Sequence, residues 1–217
     1  MNQEGDELTI IINMNKNCKF RYYILSYLNL MDSLDNFPKD LKEKSGGFII
    51  VDKIEGDNVI LLGRSNISNK KTSYENFGGR YEKEDICSLH TGVRELIEEF
   101  FNLKVPIDVV NLIAIGLRTN NLIIKQHELN GMAYLINFEG LNFIFLNIVD
   151  YNKNLVKYNI NQQFDYLTYI SERIITEKAN NGLNEIHRIE LFKVKDVKDN
   201  KVNLRWYTNK IINLMID

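Results

Sequence analysis

Three glutamates in the middle of the chain have the spacing that places side chains on one face of a helix. Glu95, Glu98 and Glu99 stand at i, i+3 and i+4. Because an α-helix turns about 100° per residue, they fall within one arc of its surface. Carboxylates held this close repel one another, and protonation or a bound hard cation such as Mg²⁺ or Mn²⁺ relieves the repulsion. The spacing indicates a metal site, although a solvated Glu-rich helix has the same pattern.

The surroundings of these glutamates favour the metal site. The other side of the same helix is apolar, so it is expected to pack on a core and to leave the carboxylates facing a cleft. A Gly-Gly turn, Gly78-Gly79, stands just before the helix. The apolar residues that recur at helical spacing are Leu89, Val93, Leu96, Ile97 and Phe100.

The stretch from Gly79 to Glu99 resembles the Nudix box, the signature of the Nudix hydrolase family. That box reads Gly, five residues, Glu, seven residues, Arg-Glu-apolar-any-Glu-Glu-any-Gly-apolar. The resemblance implies an α/β fold with a mixed β-sheet sandwiched between α-helices. It also implies a Mg²⁺- or Mn²⁺-dependent pyrophosphohydrolase, in which water attacks phosphorus in a nucleoside diphosphate linked to another moiety. The residues at the positions of the box are Gly79, Arg94, Glu95, Leu96, Glu98 and Glu99.

Two departures from the box bear on its chemistry. One extra residue separates Gly79 from the Arg-Glu pair, so the first Glu of the box has no unique counterpart. We take Asp85 as its replacement, with Glu84 as the alternative. At the end of the box Phe101 stands in place of Gly. Because Asn tolerates the left-handed conformation that ends many helices, Asn102 is expected to end this helix one residue later.

The resemblance assigns roles to the residues of the box. The Gly79 carbonyl, Glu95, Glu98 and Glu99 are the expected metal ligands, and Glu98 and Glu99 are also expected to be catalytic. We expect the three carboxylates to converge on one point near the Gly79 carbonyl. Arg94, counted with the catalytic group, is expected to hold a carboxylate of the glycine loop in register with the helix.

Nudix enzymes often recruit one more Glu from a loop before a late strand. Glu185 is our candidate, ahead of Glu190, because it follows a turn-rich run and precedes an alternating strand. A lone loop glutamate is more often an ordinary solvated charge. Residues that we expect to bind the substrate stand before and beside the box: Arg64, Lys71, Phe77 and Arg80.

Composition limits the choice of partners. The chain has 217 residues and a formal net charge of −2, so no global positive field attracts nucleic acid. Two cysteines form neither a disulfide framework nor a metal motif, and no apolar run reaches the length of a membrane span. We expect a cytoplasmic protein, in the host cytoplasm if it is viral. The abundance of Asn, Ile and Lys is typical of an AT-rich genome, and a homodimer stays open.

The chain is expected to hold one main domain. Residues 1–44 are interpreted as an N-terminal extension packed on a Nudix domain, residues 45–217, that carries an inserted helix near 164–178. Apolar runs and turn residues predict further elements. These are strands at 48–51, 58–62, 109–117 and 131–138, a third apolar run at 143–149, a strand after Glu185, and a closing helix at 206–215.

Three functions remain compatible with the sequence. The first is the pyrophosphohydrolase of a nucleotide-linked diphosphate. The second is an mRNA-decapping enzyme with the same chemistry, which requires a basic and aromatic track to the cleft for capped RNA. The third is a Nudix-like protein that binds a nucleotide without turnover. The intact Glu95, Glu98 and Glu99 argue against the third.

Overall fold

The computed structural model of the protein describes residues 45–65, 73–173, 183 and 185–216. Its strands are β1 (Gly46–Ile54), β2 (Asp57–Ser65), β3 (Tyr74–Glu75), β4 (Phe77–Gly79), β5 (Ile123–Glu128), β6 (Met132–Ile136), β7 (Asn159–Ile160), β8 (Gln163–Phe164) and β9 (Ile186–Lys193). Its α-helices are α1 (Ser88–Phe101), α2 (Ile107–Thr119), α3 (Phe138–Ile148), α4 (Tyr166–Glu172), α5 (Val194–Lys198) and α6 (Trp206–Met215). Short 3₁₀ turns lie at Val149–Tyr151 and Val156–Tyr158.

A mixed sheet forms the centre of the fold. β1 pairs in parallel with β6, and the other pairings in this sheet are antiparallel. A tight turn at Glu55 and Gly56 joins β1 to β2, and both residues have positive φ, 50° and 88°. That geometry suits the right-handed twist of a two-residue hairpin. The hairpin expected between residues 48 and 62 is therefore confirmed.

The short strands β3 and β4 lie between the diverging ends of β1 and β2. β3 pairs with Gly63 and Arg64 of β2, while β4 pairs with Gly46–Phe48 of β1. This insertion of β3 and β4 between β1 and β2 brings the Gly-Gly turn into the sheet at the point where α1 packs on β1 and β4. The sheet thereby holds the turn against the helix that carries the glutamates.

Helices cover both faces of the sheet, as predicted for the fold class. Because strand side chains alternate, Phe48 faces α1 and its neighbour Ile49 faces the opposite layer. That opposite layer joins the sheet to α5 and α6 in one apolar cluster. Its buried members are Ile49, Ile60, Leu62, Ala133, Leu135, Val194, Val197, Ile211, Ile212 and Met215.

The helix α1 ends as its sequence predicts. Asn102 adopts the left-handed conformation, with φ 51° and ψ 47°, and its backbone N–H donates to the Ile97 carbonyl. Phe101, at the position where the Nudix box has Gly, is the last helical residue and is buried. It packs against Phe145 and Phe164. The missing glycine is thus replaced by a core contact and a stop one residue later.

Replacing Asn102 tests this helix end. Left-handed backbone costs roughly 1–2 kcal/mol for a residue with a Cβ, and Gly is free of that cost. We expect Asn102→Ala to be about 1 kcal/mol less stable than Asn102→Gly in urea unfolding. Both variants lose the Asn side chain, so their difference isolates the backbone. Equal stabilities of the two variants would contradict the assignment.

The strand predicted at 109–117 is wrong, and the apolar run at 143–149 is also helical. Residues 109–117 belong to α2, and the apolar run 143–149 falls largely in α3. Both segments have the helical spacing i, i+3, i+4, i+7 in their buried residues, and a short apolar run hides that spacing when neighbouring positions are also apolar. The buried residues at that spacing are Val110, Ile113, Ala114 and Leu117 in α2, and Leu141, Ile144, Phe145 and Ile148 in α3.

The C-terminal half follows the predicted order. The closing helix and the strand after Glu185 are confirmed as α6 and β9, and the segment 131–138 contains the buried strand β6. Within the range predicted for the inserted helix, Tyr166–Glu172 forms α4 and Phe164 belongs to β8, whereas residues 174–178 lie outside the described residues. The N-terminal extension, residues 1–44, also lies outside them. No helix in the described part of the chain has the length and apolar character needed to cross a membrane.

A fully buried histidine on α1 makes stability depend on pH. Burial lowers the pKa of His90 to about 4, whereas an unfolded His titrates near 6.5. The stability that this neutral ring contributes is therefore present above pH 6.5 and is lost as pH falls towards 4.

Between pH 7.5 and pH 5, we expect the free energy of unfolding of wild type to fall by about 2 kcal/mol more than that of His90→Gln, as measured by urea unfolding. Measuring the two proteins together cancels the titration of the many carboxylates, which they share. If the free energies of unfolding of wild type and variant change in parallel with pH, His90 is not buried as a neutral ring.

Candidate active site

Arg94 joins the loop before α1 to the helix itself. Its Nε and Nη2 donate to the two carboxylate oxygens of Asp85, at 3.1 and 3.0 Å, and Nη2 also donates to the Arg80 carbonyl at 2.9 Å. Asp85 is 2% exposed and also accepts from the Thr91 hydroxyl and the Glu82 N–H. These hydrogen bonds raise the pKa of Arg94 above its usual value despite burial. The fork predicted for Arg94 is present in the structure.

The same contacts decide between the two candidates for the first carboxylate of the box. Asp85 is buried and bound to Arg94, whereas Glu84 is exposed. Of the two candidates, Asp85 is therefore the one that can hold the loop on Arg94. The one residue that this chain has in excess of the box lies in the loop between Gly79 and the helix, which begins at Ser88.

Glu95 and Glu99 lie at the Gly78-Gly79 turn. Glu99 Oε2 accepts a hydrogen bond from the Gly78 N–H at 2.7 Å. The Glu95 carboxylate sits so close to Gly79 that a Cβ at position 79 would overlap it. A Cβ on Gly78 would likewise collide with the backbone of Gly46 and Gly47. Gly78 is thus required by its close approach to a strand, whereas a Cβ at position 79 would push aside the end of the flexible Glu95 side chain.

Glu98 takes a different direction. Its carboxylate lies 3.5 Å from Arg94 Nη1 and 3.4 Å from Lys104 Nζ, beside a pocket of about 220 Å³ that both cations also line. Arg94 Nη1 also donates to Glu95 at 2.9 Å, so this one nitrogen stands between Glu95 and Glu98.

The expectation that Glu95, Glu98 and Glu99 converge on one point is therefore wrong. Like charges repel, so the three carboxylates are held apart by different positively polarised groups. Glu95 contacts Arg94, Glu98 contacts Arg94 and Lys104, and Glu99 accepts a hydrogen bond from the Gly78 N–H. Over the described ranges, no three acidic, His or Cys side chains are placed together as a group that could hold a metal ion.

Two further carboxylates approach Glu95 and Glu99. Glu75 on β3 and Glu185 before β9 both act electrostatically on Glu99, and Glu185 also acts on Glu95. Burial raises the pKa of Glu95 to about 7, where Glu98 and Glu185 add to the effect and Arg94 opposes it. Burial likewise raises the pKa of Glu99 well above its usual value, and the charges of Glu95 and Glu75 raise it further. We call Glu75, Glu95, Glu99 and Glu185 the carboxylate cluster.

The donors of the cluster are of the kind that a hard divalent cation prefers, although in the structure these four side chains are not gathered into a metal-binding group. All four side chains offer carboxylate oxygens, the ligands that Mg²⁺ and Mn²⁺ prefer. Their raised pKa values, where resolved, show that burial and mutual repulsion penalise the ionised forms of Glu75, Glu95 and Glu99. A cation placed among them would favour those ionised forms.

The residues expected to bind substrate lie in different parts of the fold, and not all of them can reach the site. Phe77 is fully buried and packs edge-on against Phe100, so its predicted role in contacting substrate is wrong. Arg64 pairs with Tyr74, which packs on the α5 and α6 layer, so Arg64 lies on the opposite face of the sheet from α1. Arg80 is exposed beside Gly79. Lys71 lies outside the described residues.

Sequence reasoning missed Glu75 and its partner Arg205. Arg205 Nη1 lies 2.5 Å from Glu75 Oε2, and its guanidinium is half exposed. The Arg205 N–H donates to the Tyr74 carbonyl, which ties the start of α6 to β3. Nothing in the spacing of these residues indicates a pair, because they are brought together only when β3 wedges into the sheet. Arg173, a buried arginine next to Glu99, was also missed.

Comparisons with known proteins give structural likeness only. No protein-family model matches the chain, and no curated protein matches it. Among solved structures, the NUDIX domain of Shewanella oneidensis NrtR, complexed with ADP ribose, is 12% identical with a TM-score of 0.41, over 84% of this chain and 94% of that one.

Two other solved structures are similar to a smaller degree. A MutT/nudix family protein from Listeria innocua is 12% identical with a TM-score of 0.36, over 79% of this chain and 90% of that one. A MutT/nudix family protein from Enterococcus faecalis is 10% identical with a TM-score of 0.33, over 83% of this chain and 56% of that one.

Proposed function

We propose that the chain is a divalent-cation-dependent hydrolase of the Nudix type, which cleaves the diphosphate of a nucleoside diphosphate linked to another moiety. The observation that carries this proposal is the carboxylate cluster itself. Glu95 and Glu99 lie on one helix at a Gly-Gly turn, and Glu75 and Glu185 reach them from two other parts of the sheet. A purely structural helix has no need of buried carboxylates that repel one another.

The chain's own residues would divide the work as follows. Glu95, Glu99, Glu185 and the Gly79 carbonyl would hold the cation, with Glu98 at the edge of the site. When bound, Mg²⁺ or Mn²⁺ would neutralise the charge of the diphosphate and make water a better nucleophile. Arg94 and Asp85 would keep the glycine turn and the helix in register, as their hydrogen bonds do in the structure.

The reaction that this site would perform is the addition of one water across a phosphorus–oxygen bond. The water oxygen forms a bond to one phosphorus, and a carboxylate of the site accepts the proton that leaves it. The bond from that phosphorus to the bridging oxygen breaks, and its electron pair stays on the second phosphate. The products are two phosphate monoesters.

Two arginines are placed to bind the diphosphate. Arg205 lies on Glu75 at the edge of the cluster with nearly half of its side chain exposed. Arg80 is exposed directly after Gly79, where its side chain is free to turn towards the cleft. A guanidinium offers paired donors that match phosphate oxygens. We propose these two residues as the phosphate-binding pair, in place of Arg64 and Phe77.

The test is a substrate panel in Mg²⁺ and in Mn²⁺, with products separated by chromatography. The panel contains ADP-ribose, a dinucleoside polyphosphate, a nucleoside triphosphate and capped RNA. We expect cation-dependent release of a nucleoside monophosphate from a linked diphosphate. Cleavage of capped RNA alone would assign the chain to decapping.

A binding measurement on the same panel separates the enzyme from a protein without turnover. Calorimetric binding of a panel member with no product after long incubation would support the binding protein and overturn the hydrolase. Hydrolysis that proceeds equally well in excess chelator would also overturn it, because the carboxylate cluster would then have no role.

A further inference from the structure

The helix α4 ends in a buried arginine that reaches the end of α1. Arg173 is 7% exposed, and its Nη2 donates to the Glu99 carbonyl at 2.6 Å. The Tyr169 hydroxyl donates to the Phe100 carbonyl at 2.8 Å. The last carbonyls of a helix have no partner within the helix. Both side chains therefore cap α1 from outside.

Arg173 makes one contact that a helix cap does not need. Its Nη1 donates to the Ile186 carbonyl at 3.1 Å, on the first residue of β9. Ile186 directly follows Glu185 in the chain. One rigid guanidinium thus binds the backbone of Glu99 and the backbone beside Glu185 at the same time.

This double contact joins two members of the carboxylate cluster that are far apart in sequence. Glu99 belongs to α1, and Glu185 enters from the loop before β9. Because one guanidinium binds the Glu99 and Ile186 carbonyls, the backbones of the two segments lie close together. Like charges drive the two segments apart, and a positive, planar fork that holds both backbones opposes this separation.

We propose that Arg173 is a positioning residue, which fixes the separation of Glu99 and Glu185 and so shapes the cation site between them. This inference rests on the proposed function, because it assigns both glutamates to that site. Arg173 touches neither carboxylate directly and acts through the main chain of each segment. Lys in its place has a single nitrogen and cannot hold both carbonyls in one geometry.

The simpler interpretation is that Arg173 only caps α1. Tyr169 offers a matched control, since its hydroxyl caps the adjacent carbonyl of the same helix from the same short helix. If capping is all that matters, Tyr169→Phe and Arg173→Met should have similar effects on the cation site. If positioning matters, only the arginine variant should change it.

The experiment is a Mn²⁺ titration of the full chain without substrate, followed by the electron paramagnetic resonance signal of free Mn²⁺. We expect Arg173→Met to weaken Mn²⁺ binding about tenfold, the size seen when an outer partner of a metal ligand is removed. Arg173→Lys should lose nearly as much Mn²⁺ affinity, and the Mn²⁺ affinity of Tyr169→Phe should stay within about twofold of that of wild type. Circular dichroism melts establish that each variant is folded.

The same titration in a Glu185→Gln background distinguishes positioning from general damage. With Glu185 neutralised, Arg173→Lys should change Mn²⁺ affinity by less than about twofold, because the partner that it positions no longer binds. An equal loss in both backgrounds would overturn the proposal, as would wild-type affinity in folded Arg173→Lys. If wild type itself binds no Mn²⁺, this inference and the proposed function both fail. If wild type binds Mn²⁺ and the arginine variants match it, only this inference fails.

Discussion

Replacing Glu99 with Gln is expected to lower kcat/KM for a linked diphosphate by about 100-fold or more. Glu99 is 5% exposed and accepts the Gly78 N–H, so Gln keeps its shape and its hydrogen bond. What the variant removes is one negative charge at the centre of the carboxylate cluster. The loss should appear as weaker activation by Mg²⁺ as well as a lower kcat, measured in a steady-state assay over a range of Mg²⁺ concentrations.

Glu84→Gln is the matched control for that prediction. Glu84 is exposed in the loop before α1, where it lines the pocket beside Glu98, and it is not a member of the carboxylate cluster. The same chemical change there should leave kcat/KM within about twofold of wild type. A Glu99→Gln enzyme that retains a tenth or more of wild-type activity would remove Glu99 from the cation site.

Replacing Arg94 with Met is expected to destabilise the protein by about 3–5 kcal/mol. Asp85 is 2% exposed, and Arg94 supplies two of the hydrogen bonds to its carboxylate. Without the guanidinium, the buried charge of Asp85 has no cation beside it, and Glu95 and Glu98 lose their shared partner. Urea unfolding at pH 7.5 measures the loss.

The interpretation of the Arg94 variant depends on Asp85. Asp85→Asn combined with Arg94→Met should be less destabilised than the sum of the two single changes, because the orphaned charge is then absent. Arg80→Met serves as a control for loss of an exposed arginine and should stay within about 0.5 kcal/mol of wild type. A loss below 1 kcal/mol in Arg94→Met would show that the fork does not hold the loop.

The elements that carry a strong periodic signal could be read from the sequence. The apolar stripe of α1, the hairpin turn at Glu55 and Gly56, and the stop at Asn102 each depend on local chemistry, and the structure contains all three. The arginine fork followed from the spacing of the box. A register count from Gly79 predicts Asp85 as the first carboxylate of the box, and in the structure Asp85 is buried and bound to Arg94 whereas Glu84 is exposed.

The parts that sequence could not supply depend on contacts between distant segments. Glu75 enters the site because β3 wedges between β1 and β2, and Arg173 because α4 docks on the end of α1. Neither contact leaves a mark in residue spacing. The place of Phe77 beside the glycines predicts a contact with substrate, yet strand alternation turns its ring into the core against Phe100.

The direction of Glu98 shows a further limit of helical geometry. The spacing places Glu98 and Glu99 on either side of Glu95, so they share a face without sharing a point. The cations nearby determine which of the two carboxylates points towards the Gly78-Gly79 turn. Glu98 points away from that turn and pairs with Lys104. The face could be predicted from the sequence, but the partners of each carboxylate could not.

The most direct test of the central claim is hydrolysis of ADP-ribose in ¹⁸O-labelled water with Mg²⁺, followed by mass spectrometry of the products. We expect one ¹⁸O atom in one of the two phosphate monoesters, and loss of this product both in chelator and in Glu99→Gln. If ADP-ribose is not a substrate, the linked diphosphate that the panel identifies takes its place. No hydrolysis of any linked diphosphate, or labelled product formed equally by wild type and Glu99→Gln, would contradict the account.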